Sequence, residues 1–192
     1  MAARIRAAAR ALFLAHGYGG TSMDAVAAAA PASKRTLYQY YPGKADLFAA
    51  VIAEVWSEFT DAPALPDSAE EKADTVLAAF VGRMTAHWDR PEVIAFLRLI
   101  IAETTRFPEI SEAYFRSGKE PALRGLTTYL ERLIQAGQLP AALDSRLAAA
   151  QFLGAIKEPL FWPRVLGVPV TFSVEEATRR AIDGLLGERR EA

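Results

Sequence analysis

Residues 33–44 read SKRTLYQYYPGK and place three tyrosines, three cations and a glutamine within twelve positions. These side chains suit two tasks on a nucleic acid. Base edges in a major groove take short or planar polar groups: glutamine pairs bidentately with adenine, arginine with guanine, and threonine offers its methyl to thymine. Phosphates take cations, hydroxyls and helix N-termini. Ser33, Lys34, Arg35, Thr36, Tyr38, Gln39 and Tyr40 together supply both sets. The competing reading of the same stretch is a solvated helix surface whose tyrosines half-pack.

Catalytic chemistry has no comparable set of residues. The two histidines, His16 and His87, lie far apart in the chain, and neither sits in a His-x-x-x-His or paired His–carboxylate motif. His16 reads as a capping or packing residue at the end of a helix, and His87, beside Trp88, as structural or surface. The acidic pairs at 70–71 and 175–176 suit solvated helix starts, where the helix dipole favours negative charge. Gly17, Gly19 and Gly20 precede no phosphate-cradling lysine or dinucleotide-binding context. Zero cysteines exclude disulfides and thiolate metal sites. No enzyme, no metal site and no cofactor is expected.

The elements that must carry residues 33–44 are helical. Ile5, Ala9, Leu12, Phe13 and His16 recur at three- and four-residue spacing, one apolar stripe on a first helix that the glycines at 17, 19 and 20 stop. TSMDAVAAAA opens a second helix with hydroxyl caps, and Asp24 stands three residues after Thr21 in the manner of a capping box. Pro31 ends that helix early. Ser33 caps a third helix running to about Tyr40, Pro42–Gly43 breaks it, and a fourth starts near Lys44 with Leu47, Phe48, Val51, Val55, Trp56 and Phe59 as its apolar positions. Met23, Val26 and Ala27 face inward from the second helix and Leu37 and Tyr41 from the third. Two short helices joined by a tight turn, the second rich in donors, form a helix-turn-helix pattern.

Beyond TDAPALPDS at 60–68, whose prolines and aspartates mark a boundary, amphipathic stretches follow near 69–88, 92–106, 109–116, 119–136, 143–158 and 174–187. VPVTFSV is the one stretch with a strand-like alternation, and Pro169 weakens it. The expectation is an all-α chain of nine or ten helices: a helix-turn-helix domain over 1–48, a connecting helix and linker over 49–67, and a larger helical bundle over 68–192. Charge divides along the same line. Residues 1–48 hold six cations and two anions, net +4, which leaves −5 for the remainder of a chain of net charge −1. A basic module on an acidic body suits a polyanionic partner. No apolar run reaches the roughly 18 residues that a membrane span requires, and a cytoplasmic location is the expectation.

LFLAHGYGGTSMDAVAAAAPASKRTLYQYYPGKADLFAAV resembles the DNA-binding region of the TetR family of transcriptional regulators. The likeness rests on the aromatic–Gly end of the first helix, the Thr-Ser start of the second, S-K-x-T-L-Y-x-Y-Y and G-K-x-x-L-F, in order and at the family's spacing, over roughly residues 5–52. It implies a homodimer on a palindromic operator in double-stranded DNA, with the third helix of each subunit in a major groove. It also implies a C-terminal domain that binds an effector and dimerises, the whole acting as a repressor. Carried over, Thr21 and Lys44 correspond to DNA-backbone contacts, Ser33, Thr36, Tyr38 and Tyr40 to contacts in or beside the groove, and Gln39 to an operator-reading position. Three positions depart from the family pattern: Pro31 stands where glycine is usual in the turn, Ala32 where valine is, and Arg35 where a small residue is common.

RFPEISEAYFRSGKEPALRGLTTYLERLIQAGQL, followed by AAAQFLGAIKEPLFWPRVLGVP, resembles the C-terminal domain of the AefR-like branch of that family. The aromatics Trp88, Phe96, Phe107, Tyr114, Phe115, Phe152, Phe161 and Trp162 can line a cavity for a small apolar or amphipathic effector, with Arg98 or Lys157 to orient a polar group; a solid core with snorkelling cations is the alternative. Leu147, Gln151, Gly154 and Ala155 on one late helix, and Ala177, Ile182 and Leu185 on the last, are the expected dimer seam. A helical ligand carrier or small enzyme without specific DNA binding is the competing function.

Overall fold

The structure, a computed structural model, describes residues 1–60, 65–66 and 68–187, and most of the boundary expected at 60–68 lies outside them. Among the described residues the chain is all-α, and the 168–174 stretch forms no strand. Eleven α-helices follow one another: α1 (Ala2–Gly20), α2 (Met23–Ala29), α3 (Lys34–Tyr40), α4 (Lys44–Thr60), α5 (Ala73–Trp88), α6 (Pro91–Glu103), α7 (Pro108–Tyr114), α8 (Glu120–Gln135), α9 (Ser145–Leu160), α10 (Trp162–Leu166) and α11 (Val174–Leu186). A π turn, Phe115–Lys119, joins α7 to α8. The short α10 is the element that periodicity missed: a five-residue helix is too brief to show an apolar stripe, though Pro163 at its first turn and Gly167 just past its end, at φ 75°, mark both limits.

The chain forms two compact units, one of Met1–Glu58 with Glu92–Glu120, the other of Phe59–Pro91 with the residues from Pro121 onward. The first unit is built on an aromatic cluster. Phe13 meets Phe48 edge-on at 5.2 Å, Tyr18 meets Phe48 edge-on at 5.2 Å, and Phe96 of α6 closes on Phe48 at 6.1 Å. Such pairs contribute about 0.5–1.5 kcal/mol each beyond the area they bury. Ile5, Ala9 and Phe13 form the buried stripe of α1, whereas Leu12 is half-buried and His16 is exposed. The stripe is therefore narrower than the sequence spacing suggests, and His16 takes no part in the core.

In the second unit, α8 buries Leu123, Leu126, Tyr129, Leu130 and Leu133 at helical spacing. Asp144 caps α9 by accepting from Leu147 N at 2.9 Å, and Ser173 caps α11 by accepting from Glu176 N at 3.0 Å. α11 packs against both α9 and α5. The segment before α5 is tied down by Arg132, which donates to Pro66 O at 2.7 Å, and by Gln138, which donates to Ala69 O at 2.9 Å.

Candidate nucleic-acid interface

The turn between α2 and α3 sets which face of α3 is displayed. Ser33 accepts from Thr36 N at 3.0 Å and so fixes the start of α3, and its hydroxyl also meets the Thr36 hydroxyl at 2.8 Å. Leu37 is fully buried and Tyr41 nearly so, which anchors one side of this two-turn helix. Around it Ser33, Lys34, Arg35, Tyr38, Gln39 and Tyr40 are exposed to solvent, with Thr36 half-buried. Tyr38 and Tyr40 are 48% and 49% exposed, far more than tyrosines that serve as core filler. All seven residues named from the sequence thus keep exposed surface on α3, and together they combine planar donors, hydroxyls and cations.

Lys34 pairs with Asp24 of α2 at 2.6 Å, which raises its pKa above the ordinary lysine value through that hydrogen bond. Both side chains are solvated, so water screens the pair and it yields readily to a phosphate. Two cations of the first helix, Arg6 and Arg10, are engaged within the fold, while Arg4 is exposed. Arg6 donates to Glu54 and, at 3.2 Å, to the Tyr41 hydroxyl, and Arg10 lies 3.4 Å from Glu92. Within α2 and α3 the solvent-exposed positive charge is that of Lys34 and Arg35.

Two residues expected at the DNA backbone take internal roles. The cap of α2 is Ser22, accepting from Ala25 N at 3.1 Å, one residue later than the Thr21–Asp24 capping box placed it. Thr21 is only 3% exposed and donates its hydroxyl to Gly17 O at 2.8 Å, a bond that closes the end of α1. Lys44 donates to Tyr18 O at 2.8 Å and Thr21 O at 3.0 Å and lies 4.4 Å above the Tyr18 ring. Burial lowers its pKa below the ordinary value. Sequence spacing shows a lysine at a helix start; it does not show that the ammonium turns back onto the preceding helix.

The aromatics expected around an effector are shared between the units. Phe96, Phe107, Tyr114 and Phe115, with Arg98, belong to the first; Trp88, Phe152, Phe161 and Trp162, with Lys157, belong to the second. Phe107 packs on Tyr18 at 5.1 Å and Tyr114 on Trp56 at 5.6 Å, while Phe115 is exposed. Trp88 packs on Phe161 at 4.8 Å, Phe161 on the exposed Trp162 at 5.5 Å, and Phe152 is buried. Arg98 and Lys157 both make contacts within the protein, Lys157 reaching over Phe161 at 5.9 Å.

On α9 the residues named for a dimer seam, Leu147, Gln151, Gly154 and Ala155, form one exposed face, and Leu147 is 55% exposed. With Gln151, Ala155 and Leu185 among its walls, a groove of ≈ 250 Å³ runs between α9 and α11. Ala177 and Leu185 are half-buried, but Ile182 is buried within the chain and lines a second groove beside α5, so it has little area left for a partner.

Among the described residues no helix is long and apolar enough to cross a membrane, and no group of three or more His, Cys, Asp or Glu could hold a metal ion.

Comparison with known proteins fits these two parts of the chain. Residues 5–51 match the family described as bacterial regulatory proteins, tetR family, and residues 75–186 match the AefR-like transcriptional repressor, C-terminal domain. The flavonoid-responsive regulator FrrA is similar at 31% identity and TM-score 0.85, covering 96% of this chain and 94% of that one. An HTH-type transcriptional repressor of Streptomyces coelicolor is 40% identical over 76 residues, 39% of this chain and only 40% of that protein. A transcriptional regulator FadR of Bacillus subtilis, solved with stearoyl-CoA, shares the fold at 19% identity and TM-score 0.70, with 97% and 98% of the chains covered. The family is one of DNA-binding regulators and not of enzymes. This chain belongs to the TetR family of transcriptional regulators and carries an AefR-like C-terminal domain.

Proposed function

We propose that the protein is a dimeric repressor that reads a palindromic operator with α3 and releases it when a small effector occupies the C-terminal domain. The observation that carries this reading is the exposed face of α3, where Lys34, Arg35, Tyr38, Gln39 and Tyr40 stand clear of a core held by Leu37. Lys34, Ser33 and Tyr38 hold phosphates, and Lys44 supports them from behind the turn while a remaining ammonium proton is available to the backbone. Gln39 and Arg35 read bases, and Thr36 and Tyr40 line the groove. Arg35 is the specificity element in which this chain differs from the family pattern. One two-turn helix touches few base pairs, which is why the second subunit is needed.

The effector is small and apolar or amphipathic. Flat aromatic compounds are the first class to test, because the responsive relative of 31% identity takes a flavonoid by its name and because Trp88, Phe152 and Phe161 offer aromatic surface. Domain roles follow: DNA reading over 1–48, connection over 49–67, effector binding and dimerisation over 68–192. The site of action is the cytoplasm.

Selection of fragments from the protein's own genome, followed by titration of the best fragment and a scrambled duplex at near-physiological salt, tests the reading. A palindrome bound at least about 1,000-fold more tightly than the scrambled duplex supports it. Equal weak binding to both overturns it. Gln39→Ala should then relax sequence preference at one operator position, at a cost of about 1–3 kcal/mol.

A further inference from the structure

The link between α1 and α2 is held from a distant part of the chain. α1 breaks at Gly17, whose φ of 74° and ψ of 172° are not helical. A helix interrupted there leaves the next N–H groups without their usual acceptors four residues back. Glu103, the last residue of α6, supplies acceptors for both: Oε1 takes the Tyr18 N–H at 2.8 Å and Oε2 takes the Gly19 N–H at 2.8 Å. One carboxylate thus bridges two successive amides through a pair of hydrogen bonds.

The surroundings fit this contact closely. A Cβ on Gly17 would lie 2.3 Å from Glu103 Oε1, and one on Gly19 would lie 2.9 Å from the Phe107 ring. Both glycines are therefore needed for the approach, and Gly17 also for its positive φ. Phe107 packs on the Tyr18 ring, and burial, with a smaller contribution from Glu109, raises that phenol's pKa. On the other edge of the same turn, Lys44 takes the carbonyls of Tyr18 and Thr21. The turn's N–H groups are thus held by α6 and its C=O groups by the start of α4.

α2 begins two residues after this turn and packs on both α1 and α3. We infer that Glu103 is a positioning residue for DNA binding: by fixing the Tyr18–Gly19 amides it sets the direction in which α2, and with it the reading helix α3, leaves α1. The inference rests on the reading of α3 as the DNA-contacting helix. It also gives a reason for residues 92–120 to share a unit with the helix-turn-helix, although the matched AefR-like region includes them.

The test titrates operator and scrambled duplexes with wild-type protein, Glu103→Gln and Glu103→Ala, each at several salt concentrations. Hydrogen exchange at Tyr18 and Gly19 is measured on the same samples. Loss of a charged acceptor for two amides should lower operator affinity about tenfold in Glu103→Ala and by less in Glu103→Gln, which keeps one acceptor. The salt slope should stay unchanged, because no phosphate contact is removed. Exchange protection at the two amides should fall in the same order. A role confined to stability would lower the melting temperature and leave operator affinity at full occupancy of the folded state intact, which overturns the inference. So does wild-type operator affinity in a well-folded Glu103→Gln with deprotected amides. If wild-type protein itself shows no preference for its selected duplex, the DNA-reading proposal fails and this inference fails with it; if only the variants match wild type, the Glu103 assignment alone is lost.

Discussion

Pro31 sits in the turn between the two helices of the DNA-binding motif with a φ of 24°. The pyrrolidine ring prefers a φ near −65°, so this residue holds a conformation that a glycine would adopt freely. The turn is otherwise well secured, with Ala32 N donating to Ala27 O at 3.0 Å. The turn thus keeps a positive φ although a proline stands where glycine is usual. Backbone strain of this kind costs about 1–3 kcal/mol, while glycine returns part of that through a more flexible unfolded chain. Pro31→Gly should therefore raise stability by about 1 kcal/mol, measured by urea unfolding. A destabilised Pro31→Gly would show that the ring's packing outweighs its strain. Much of this site was legible residue by residue, because Leu37 and the exposed polar positions of α3 follow from a period of 3.6. The internal roles of Thr21 and Lys44 were not, since each depends on carbonyls of α1 whose direction is set by a break at Gly17.

At the scale of elements, capping residues and prolines marked the helix limits within a few positions. The exception at α2 is instructive: Thr21 and Ser22 are adjacent hydroxyls, and local sequence cannot say which one accepts from the helix and which one closes the helix before it. α5 carries a property that its sequence did not disclose. His87, in its last turn, is 5% exposed, and burial, with a smaller contribution from Arg90, pushes its pKa down to about 4 from an ordinary 6.5. The sign follows from proton binding. Between pH 6.5 and pH 4 the unfolded chain binds a proton at this histidine that the folded chain does not, so stability is complete above that window and declines as pH falls through it. The loss from pH 7 to pH 5 should be about 2 kcal/mol. Urea unfolding at the two pH values, for wild type and His87→Asn, checks this: the variant should be less stable at pH 7 but lose the part of the pH dependence that His87 supplies. Equal pH slopes in the two proteins would sink the assignment.

At the scale of the molecule, the chain's own composition marks a boundary near 60–68, whereas contacts group residues 92–120 with the N-terminal helices. Composition records where a chain leaves its core; it carries no trace of a bond between residues such as Tyr18 and Glu103, 85 positions apart. A dimer of the kind proposed needs a face that the chain's own core does not use. On α9 that face is plain: Ala148, Phe152, Leu153 and Ile156 point into the unit, and Leu147, Ala150, Gln151, Gly154 and Ala155 point away. The end of α10 and the segment after it expose further apolar side chains, Leu166, Val168 and a 63% exposed Phe172. Small residues on a helix face allow a second helix to approach closely, and the area beyond them supplies the hydrophobic gain. A Cβ built on Gly154 meets nothing within 4 Å in the chain, so a larger side chain there has room in the single subunit. Gly154→Arg should therefore leave helix content intact and convert dimer to monomer in sedimentation velocity. Because a lone subunit contacts one half-site only, operator affinity should fall by at least about 100-fold while binding to a scrambled duplex changes little. A Gly154→Arg protein that still sediments as a dimer and binds its operator normally would move the seam away from α9.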